Sequence, residues 1–324
     1  MHLLIVLDPV ETIKTYKDST YAMMQAARAR GHAISVCEMD GLWLEGGHAW
    51  AAARSLELVG PQLKESGHDP HAWWRMGDAV PSRIAQFDAV LMRKDPPFDQ
   101  EYVYATWLLE HACREGARVF NAPRAIRDHG EKYSIAEFPQ FTAQTIVTRD
   151  PQRLRAFVMQ HREAVFKLLD GMGGASIFRA RADDPNLSVI IETLNQFGAR
   201  SVMAQRYLPA IAEGDKRILI IDGQVVPYAL ARIPKAGEAR GNLAAGGTGR
   251  AQPLSARDRE IAESLAPILA ARGLFLVGLD VIGDCLTEIN VTSPTCFREI
   301  HEQMGFDVAG LYVESLERAL ARAS

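Results

Sequence analysis

Long apolar runs, paired cysteines and a leader segment are all missing from this sequence. No apolar run in its 324 residues reaches the roughly 18 that a membrane-spanning helix needs. The first strand-like run, at residues 3–7, lacks the charged prelude and the small-residue cleavage site of a signal peptide. The 4 cysteines are scattered without a Cys-x-x-Cys pair, which disfavours a disulfide framework or a zinc site. These absences predict a soluble, cytoplasmic protein.

Positive charge is not in excess either, since 36 Lys and Arg face 40 Asp and Glu and the net charge is −4. The basic footprint of a nucleic-acid-binding protein is therefore absent. The 9 histidines show no metal-ligand spacing, and neither His-Glu-x-x-His nor Gly-x-Ser-x-Gly occurs. Covalent acyl catalysis through a serine or a cysteine is disfavoured.

The chain begins with a β-α-β pattern. Strand-like runs at residues 3–7 and 33–38 flank a helical segment at 21–30, which predicts a parallel sheet covered by helices. A strand at 87–92 continues this unit, and Asn121-Ala122-Pro123 is interpreted as its boundary. Residues 68–74 have the pattern of an irregular surface stretch.

The second half of the chain is richer in short strands. They are predicted at residues 165–169, 175–180, 201–208, 216–221, 224–232 and 275–291, with helices at 187–197, 255–272 and 307–322. Residues 233–253 are rich in glycine and small residues. A loop of that length is usually a lid or a disordered segment.

Residues 275–291 combine two strand-like runs around Gly283-Asp284, a typical hairpin turn. Glu288 and Asn290 project from one face of the second strand, and their oxygens are the kind of ligand that Mg²⁺ prefers. Asp280 joins that face only if the hairpin contains a bulge or a longer loop, because a strict two-residue turn pairs it with Thr287. An ordinary hairpin with a polar outer face is the alternative.

The glycine loop at residues 170–174 predicts a phosphate clamp, because backbone N–H groups approach an anion closely where no Cβ intervenes. It lacks the Gly-Lys-Ser/Thr ending of a P-loop, and an ordinary glycine hairpin explains it equally well. Lys167 interrupts an apolar strand just upstream, so its partner is either a phosphate or solvent at the strand edge. Lys132 either reaches the same anion or lies on the surface.

Several polar residues are weaker candidates. Residues 205–208 run into a proline and could present backbone groups to a purine, while Asp215 could accept hydrogen bonds from ribose or belong to a turn. Arg217 and Arg232 offer guanidinium forks to phosphate or carboxylate. Arg240 in the flexible segment suits a lid over a charged intermediate, or is a solvated linker arginine.

Four ordered segments together resemble the ATP-grasp superfamily and, within it, the prokaryotic-type glutathione synthetase family. They are Met-Arg-Lys-Asp-Pro-Pro-Phe-Asp at 92–99, Leu-Asp-Gly-Met-Gly-Gly-Ala-Ser at 169–176, Arg-Gly-Asn-Leu-Ala-Ala-Gly-Gly at 240–247 and Thr-Glu-Ile-Asn-Val-Thr-Ser-Pro-Thr at 287–295. The resemblance covers nearly the whole chain, with residues 40–85 the least familiar part.

The resemblance implies a fold of the α/β and α+β class, an ATP-grasp fold with an N-terminal pre-ATP-grasp parallel-sheet domain. It implies a pre-ATP-grasp domain at residues 1–123 and an ATP-grasp region at 124–324. Within that region, a small central nucleotide-clamping subdomain is expected at about 133–208. A C-terminal subdomain at about 209–324 is expected to carry the lid loop 233–250 and the metal-binding hairpin.

The implied reaction is ATP-dependent ligation of γ-glutamylcysteine and glycine through an acylphosphate, giving glutathione, ADP and phosphate. The implied cofactors are ATP as co-substrate and two Mg²⁺ ions, with Mn²⁺ as a possible substitute. The resemblance also implies a homo-oligomer, a tetramer in the family, and no nucleic-acid or membrane partner is expected. The alternatives are another ATP-grasp carboxylate–amine ligase and a non-catalytic ATP-binding regulatory module.

Site residues follow from the resemblance position by position. The implied nucleotide-binding residues are Lys132, Lys167, Gly171, Gly173, Gly174, Gln205, Tyr207, Leu208 and Asp215. The implied metal ligands are Asp280, Glu288 and Asn290, which requires the bulged register. The candidate catalytic residues are Arg217, Arg232 and Arg240. Charge and loop placement add candidates for binding the dipeptide, namely Arg93, Asp18, Ser19 and Thr20.

Overall fold

The computed structural model describes residues 1–60, 69–235, 241 and 246–322. The central part of the predicted lid loop, including Arg240, lies outside these residues. The helices are α1 (Ser19–Ala29), α2 (Gln100–Arg114), α3 (Pro123–Asp128), α4 (Pro151–His161), α5 (Leu187–Asn195), α6 (Ala256–Ala271), α7 (Phe297–Met304) and α8 (Val308–Arg322). Within this part of the chain, every helix is too short or too polar to span a bilayer.

The strands within the described residues form three sheets. They are β1 (His2–Val6), β2 (Ala33–Cys37), β3 (Leu42–Glu45), β4 (His48–Leu58), β5 (Trp74–Met76), β6 (Val80–Arg83), β7 (Ala89–Met92), β8 (Val119–Phe120), β9 (Thr145–Thr148), β10 (Glu163–Leu168), β11 (Phe178–Arg181), β12 (Val202–Arg206), β13 (Asp215–Ile221), β14 (Gln224–Ile233), β15 (Thr248–Pro253), β16 (Leu276–Ile282) and β17 (Cys285–Asn290).

The N-terminal sheet is organised around β1, which pairs in parallel with both β2 and β7. The strand order is β3-β4-β2-β1-β7-β8, and β5 and β6 pair with β4. Leu3 and Ile5 share a core with residues of α1, whereas Leu4 and Val6 share another with residues of α2. Successive side chains leave a strand on opposite faces, so an uninterrupted apolar run needs a helix on each side. The predicted helix-covered parallel sheet is confirmed.

Two antiparallel sheets follow. The central sheet has the order β11-β10-β12-β9, and α4 and α5 pack on it in a core of their own. The C-terminal sheet has the order β15-β14-β13-β16-β17. One of its faces packs against α6, and the other shares a core with α7, α8 and the N-terminal helix α1. The N-terminal sheet is parallel from β2 through β1 and β7 to β8 and antiparallel where β4 pairs, and together with the two antiparallel sheets it agrees with the predicted fold class.

Some local predictions are wrong, because contacts between distant segments decide them. Trp73, in the stretch predicted to be irregular surface, is 1% exposed and meets Tyr21 edge-on, with 5.0 Å between ring centroids. Part of the predicted loop 233–253 forms β15 by pairing with β14. The strand predicted at 175–180 begins only at Phe178, and α7 has no predicted counterpart.

Asn121 joins the N-terminal sheet to the C-terminal one. Its amide donates to the carbonyls of Leu276 and Val291, each at 2.8 Å, and its Oδ1 accepts from the Leu276 N–H at 2.7 Å. The residue is 5% exposed, so water does not replace these partners. Asn121 therefore places the ends of β16 and β17 relative to β8.

We expect Asn121→Ala to lower the free energy of unfolding by about 3 kcal/mol, because three buried backbone groups lose their partners. Urea denaturation measures this change. The control is Asn186→Ala at the exposed start of α5, where the side chain makes no capping hydrogen bond, so the curve should not move. A loss below about 1 kcal/mol would mean that the freed groups find new partners.

Candidate active site

A cavity of about 270 Å³ lies between the central and C-terminal sheets. Strands β10 and β12 contribute side chains from one side, and β13, β14, β16 and β17 contribute from the other. The predicted nucleotide-binding residues and metal ligands all line it, together with two of the predicted arginines. These residues are Lys132, Lys167, Gly171, Gly173, Gly174, Gln205, Tyr207, Leu208, Asp215, Arg217, Arg232, Asp280, Glu288 and Asn290.

The C-terminal sheet presents one polar face to this cavity. Arg217 lies opposite Asp280, and Asp280 lies opposite Glu288 on the next strand. Asp215 likewise lies opposite Arg232. Residues paired across neighbouring strands share a face, so the register alone gathers these charges. Intervening residues such as Ile218 point to the opposite face and pack in the core with α6.

A bulge in the hairpin decides which residue faces Glu288. Ile282 pairs with Cys285 across the two-residue turn, and the register then shifts between Asp280 and Val281. The extra residue is Thr287, whose hydroxyl donates to the Asp280 carbonyl at 3.1 Å. The bulge brings Asp280 onto the face of Glu288, which is the register that the predicted metal site requires.

Asp280 lies between two buried arginines. Its carboxylate accepts from Arg217 Nε and, at 3.0 Å, from Arg217 Nη2, while Arg232 Nη2 lies 2.8 Å from its Oδ2. Burial acts to raise the pKa of Asp280, but the two guanidinium groups outweigh it and hold that pKa well below its usual range. Asp280 is therefore ionised throughout the physiological pH range. Gly278 leaves room for Arg217, because a Cβ there would lie 2.8 Å from Arg217 Cδ.

Asp215 has one occupied and one open oxygen. Its Oδ2 accepts from Arg232 Nη2 at 2.6 Å, whereas its buried Oδ1 has no hydrogen-bond partner among the residues that the structure describes. Burial raises the pKa of Asp215 to about 6, although Arg232 acts in the opposite direction. A buried acceptor without a partner is available for a ligand hydroxyl.

Two lysines project into the cavity from other segments. Lys132 Nζ donates to the carbonyl of Gly171 in the glycine loop and, at 2.9 Å, to Glu288 Oε1. Lys167 Nζ donates to Gln205 Oε1 at 2.8 Å. Burial lowers the pKa of Lys167, and the positive charge of Lys132 contributes to the same shift. Two buried ammonium groups at one end of a cavity provide a binding site for a polyanion such as a triphosphate.

The predicted adenine hinge lies beside these lysines. Gln205, Tyr207 and Leu208 line the cavity where β12 ends. Arg179, on the edge strand β11 of the central sheet, lies over the Tyr207 ring, with its guanidinium carbon 3.8 Å from the ring centroid. The hinge prediction is compatible with this placement, and the ligand that it binds stays a prediction.

The acidic residues fit Mg²⁺ better than a metal held by protein side chains alone. The described residues contain no group of three or more His, Cys, Asp or Glu side chains arranged around one ion. The candidate set is two carboxylates and an amide, and Mg²⁺ is commonly held by one or two carboxylates together with substrate phosphates and water. Asn290 Nδ2 donates to the Gly278 carbonyl at 3.1 Å, which leaves Oδ1 as its possible metal ligand.

Other predicted residues lie away from the cavity walls. Arg93 is 4% exposed and donates to Thr20 Oγ1 at 3.1 Å and to the Pro294 carbonyl at 3.0 Å. Asp18 caps α1 by accepting from the Tyr21 N–H. Ser19 Oγ accepts from the N–H of Phe297. These residues join α1, the loop after β7 and the segment before α7, so their role in binding the dipeptide stays a prediction. Arg240 lies outside the described residues.

The cavity also contains residues that were not predicted as site residues. Glu131, Asp95, Thr292 and Ser293 line it. Asp95 and Ser293 belong to two of the four segments that carry the family resemblance, which was the available signal for them. Glu131 immediately precedes Lys132, but nothing in the sequence shows that its carboxylate turns toward β17.

Comparison with models of known protein families shows which family this chain belongs to. The model for the N-terminal domain of prokaryotic glutathione synthetase matches residues 1–127, and the model for its ATP-grasp domain matches residues 131–305. The chain belongs to the prokaryotic glutathione synthetase family. The predicted family and the predicted ATP-grasp fold are both confirmed.

Relatives of this glutathione synthetase family are similar over their full length. The glutathione synthetase of Ralstonia nicotianae is 60% identical over 324 residues, covering 100% of this chain and 98% of the relative. The glutathione synthetases of Bordetella parapertussis and Nitrosomonas europaea are each 56% identical and cover 98% and 99% of this chain and 99% of their own lengths. The chain is accordingly an ATP-dependent ligase.

Solved structures with the same fold are more distant in sequence. The D-cycloserine synthetase DcsG matches with a TM-score of 0.67 at 17% identity, covering 99% of this chain and 100% of that one. The ATP-grasp ligase PsnB, solved with a minimal precursor, Mg and ADP, matches with a TM-score of 0.62 at 17% identity, covering 99% of this chain and 98% of that one. At this identity the likeness shows the fold alone.

Proposed function

We propose that this cavity joins the cysteinyl carboxylate of γ-glutamylcysteine to the amine of glycine at the expense of ATP. The observation that supports this most strongly is the convergence of two buried lysines, two buried arginines and an acidic hairpin on one cavity. Such a set neutralises and positions phosphoryl and carboxylate groups without a protein nucleophile. It suits phosphoryl transfer to a carboxylate better than covalent catalysis.

The proposed reaction has two steps. An oxygen of the cysteinyl carboxylate attacks the γ-phosphorus of ATP, the bond from that phosphorus to the bridging oxygen breaks, and ADP leaves. The glycine amine then attacks the carbonyl carbon of the acylphosphate, phosphate leaves with the electrons of the C–O bond, and the amine loses a proton. Atoms and charge balance without a redox partner.

Each residue has a role that fits its place. Lys132 and Lys167 would hold the phosphates, with the glycine loop above them, and the Gln205–Leu208 segment would hold adenine. Asp280, Glu288 and Asn290 would hold two Mg²⁺ ions, which would neutralise charge on the transferring phosphate when bound. Arg217 and Arg232 lie at the same face and would stabilise the negative charge of the acylphosphate. Arg240 is proposed to act from the lid.

The remaining features of the proposal concern organisation. We propose a pre-ATP-grasp domain at 1–123 and an ATP-grasp region at 124–324, a division supported by the gap between the two family models at residues 127 and 131. A central subdomain at about 133–208 would clamp the nucleotide. A cytoplasmic homotetramer without nucleic-acid or membrane partners, and activity with Mn²⁺ in place of Mg²⁺, remain predictions.

A coupled assay of ADP release tests the reaction. With ATP, Mg²⁺, γ-glutamylcysteine and glycine, we expect sustained ADP formation and glutathione. Omitting glycine should leave at most slow ADP release by hydrolysis of the acylphosphate, and omitting the dipeptide should stop it. Faster turnover with another acid and amine would assign the chain to a different carboxylate–amine ligation.

A pH dependence is expected from Asp215 if it binds the ribose. Because its pKa is raised to about 6, its carboxyl is neutral at pH 5 and ionised at pH 7. An ionised acceptor binds hydroxyls more strongly, so the ratio of the dissociation constants of 2′,3′-dideoxy-ATP and ATP should rise about fivefold between these pH values. Using the ratio cancels the titration of the phosphates.

Isothermal titration calorimetry with both nucleotides measures this ratio. Asp215→Asn is the control, and its ratio should be independent of pH. A ratio that stays constant in the unsubstituted protein would remove Asp215 from the ribose site.

A further inference from the structure

Strand β17, which carries the proposed metal ligands, is the edge strand of its sheet. Among the described residues, single residues rather than a further strand pair with its outer edge. Near its start, Thr142 forms an isolated bridge with Leu286. Near its end, the Glu131 carbonyl accepts from the Ile289 N–H at 2.9 Å. An edge strand without a neighbour needs such partners for its outward N–H groups.

The carboxylate of Glu131 continues this pairing beyond the strand. Its Oε1 accepts from the N–H groups of Val291 and Thr292, at 2.9 and 3.0 Å, and from Thr292 Oγ1 at 2.8 Å. One carboxylate oxygen thus accepts hydrogen bonds from three donors just beyond the end of the strand. Glu131 takes the place of a missing neighbouring strand along residues 289–292.

Asn290 lies inside the segment that Glu131 holds. The backbone N–H groups on either side of it, those of Ile289 and Val291, both donate to Glu131. The Asn290 side chain is fixed from the other direction by its bond to Gly278. The direction of its Oδ1 therefore depends on contacts made by Glu131.

Glu131 also connects the metal strand to the phosphate-binding end of the cavity. Lys132 follows it directly and donates to Glu288 Oε1, so two consecutive residues bind both ends of the Glu288–Thr292 segment. A shift of either partner would change the separation between the proposed phosphate ligand and the proposed metal ligands. The consecutive residues Glu131 and Lys132 thus connect the two parts of the site.

We propose that Glu131 is a positioning residue that sets the geometry of Asn290 and Glu288 toward the divalent cation. This inference rests on the proposed metal role of the hairpin. A carboxylate that served only to stabilise the sheet edge would affect folding stability and leave cation affinity unchanged. A carboxylate that positions the ligands affects cation affinity even where folding is intact.

The test is Mn²⁺ binding to the ADP-loaded protein, followed by electron paramagnetic resonance. We expect Glu131→Ala to weaken Mn²⁺ binding by about tenfold, in the range typical of residues that orient metal ligands. The Mg²⁺ concentration for half-maximal ADP release should rise similarly. The KM for ATP at saturating Mg²⁺ should stay within about twofold, since the lysines that hold the phosphates remain.

Two further variants separate positioning from stability. Glu115→Gln is the matched control, because Glu115 also accepts from a strand N–H, that of Ala49 at 2.9 Å, but lies in the N-terminal unit. It should lower thermal stability without changing Mn²⁺ affinity. Glu131→Gln keeps the shape of the side chain and should give a smaller weakening than alanine, and it carries the test if the alanine variant does not fold.

A folded Glu131 variant with unchanged Mn²⁺ affinity would overturn the proposal. The result is independent of the ligation assay, because Mn²⁺ and ADP binding need no dipeptide. If the unsubstituted protein bound Mn²⁺–ADP yet formed no glutathione, the proposed reaction would be wrong while the role of Glu131 would still be decided by the binding data.

Discussion

Glu288→Gln is expected to lower the turnover number for ADP release by about 10³-fold, the scale of removing an electrostatic contact made in the transition state. Glu288 is the proposed metal ligand nearest to a phosphate-binding group, since Lys132 Nζ lies 2.9 Å from its Oε1. Glutamine retains an oxygen that accepts from Lys132, so the side chain is retained in shape but loses its charge. Steady-state kinetics at several Mg²⁺ concentrations measures the loss.

The folded state should survive this substitution, because the hydrogen bond to Lys132 persists. Circular dichroism and the thermal midpoint check this point. Glu137→Gln is the matched control, since Glu137 also pairs with a cation, Arg272 at 2.7 Å, but does not line the cavity. It should retain full turnover. A Glu288→Gln enzyme with more than a tenth of the original turnover would exclude Glu288 from the metal site.

Asp280→Asn is expected to lower the free energy of unfolding by about 3–5 kcal/mol, the cost of breaking a buried ion pair from one side. Arg217 and Arg232 are 6% and 5% exposed, and both contact the Asp280 carboxylate. Without it, Asp215 is the remaining carboxylate that pairs with Arg232, and Arg217 loses its counter-ion. Urea denaturation measures the loss.

The pH dependence of this difference follows from the direction of the pKa shift. The folded-state pKa of Asp280 lies below its unfolded value, so its contribution to stability is fully present above the usual carboxyl range and is lost only as the pH falls below that range. Asp280 itself therefore adds no pH dependence to this difference between pH 5 and pH 8. Burial raises the pKa of Asp215 to about 6 and the charge of Asp280 contributes to that shift, so the difference in stability should be somewhat smaller above pH 6 than below it. Equal stability of the two proteins would mean that Asp215 alone neutralises both arginines.

An exposed pair provides the control for Asp280. Glu263 lies 3.8 Å from Arg259 on α6, and both side chains are about half exposed. Glu263→Gln should leave the denaturation midpoint unchanged, because solvent screens such pairs.

The strands and helices around the site were predictable because side-chain periodicity is a local property of the chain. The apolar run at residues 3–7 predicts a buried strand, and alternation at Glu288 and Asn290 predicts a shared face. Asp18 and Asp99 begin their helices by accepting backbone N–H groups within three residues. Such features need no knowledge of distant segments.

The four family segments contain part of the candidate site, and the resemblance to the family supplied the other candidates position by position. The residues inside the segments are Arg93, Gly171, Gly173, Gly174, Arg240, Glu288 and Asn290. The sequence did not predict which partner each buried charged side chain contacts. Arg93 is buried and donates to Thr20 Oγ1 and to the Pro294 carbonyl, contacts that no local pattern predicts, and its role in binding the dipeptide stays a prediction. Trp73 lies in the core because it meets α1, which is far from it in sequence.

The sequence by itself determined the family, the ATP-grasp fold and the residue types that meet in the cavity, since these follow from ordered local motifs. Only the tertiary structure decided that a bulge at Thr287 turns Asp280 toward Glu288, that two arginines share Asp280, and that Glu131 holds the edge of β17. Each of these depends on the register between strands or on contacts across more than a hundred residues, and the local pattern of a single chain segment does not specify them.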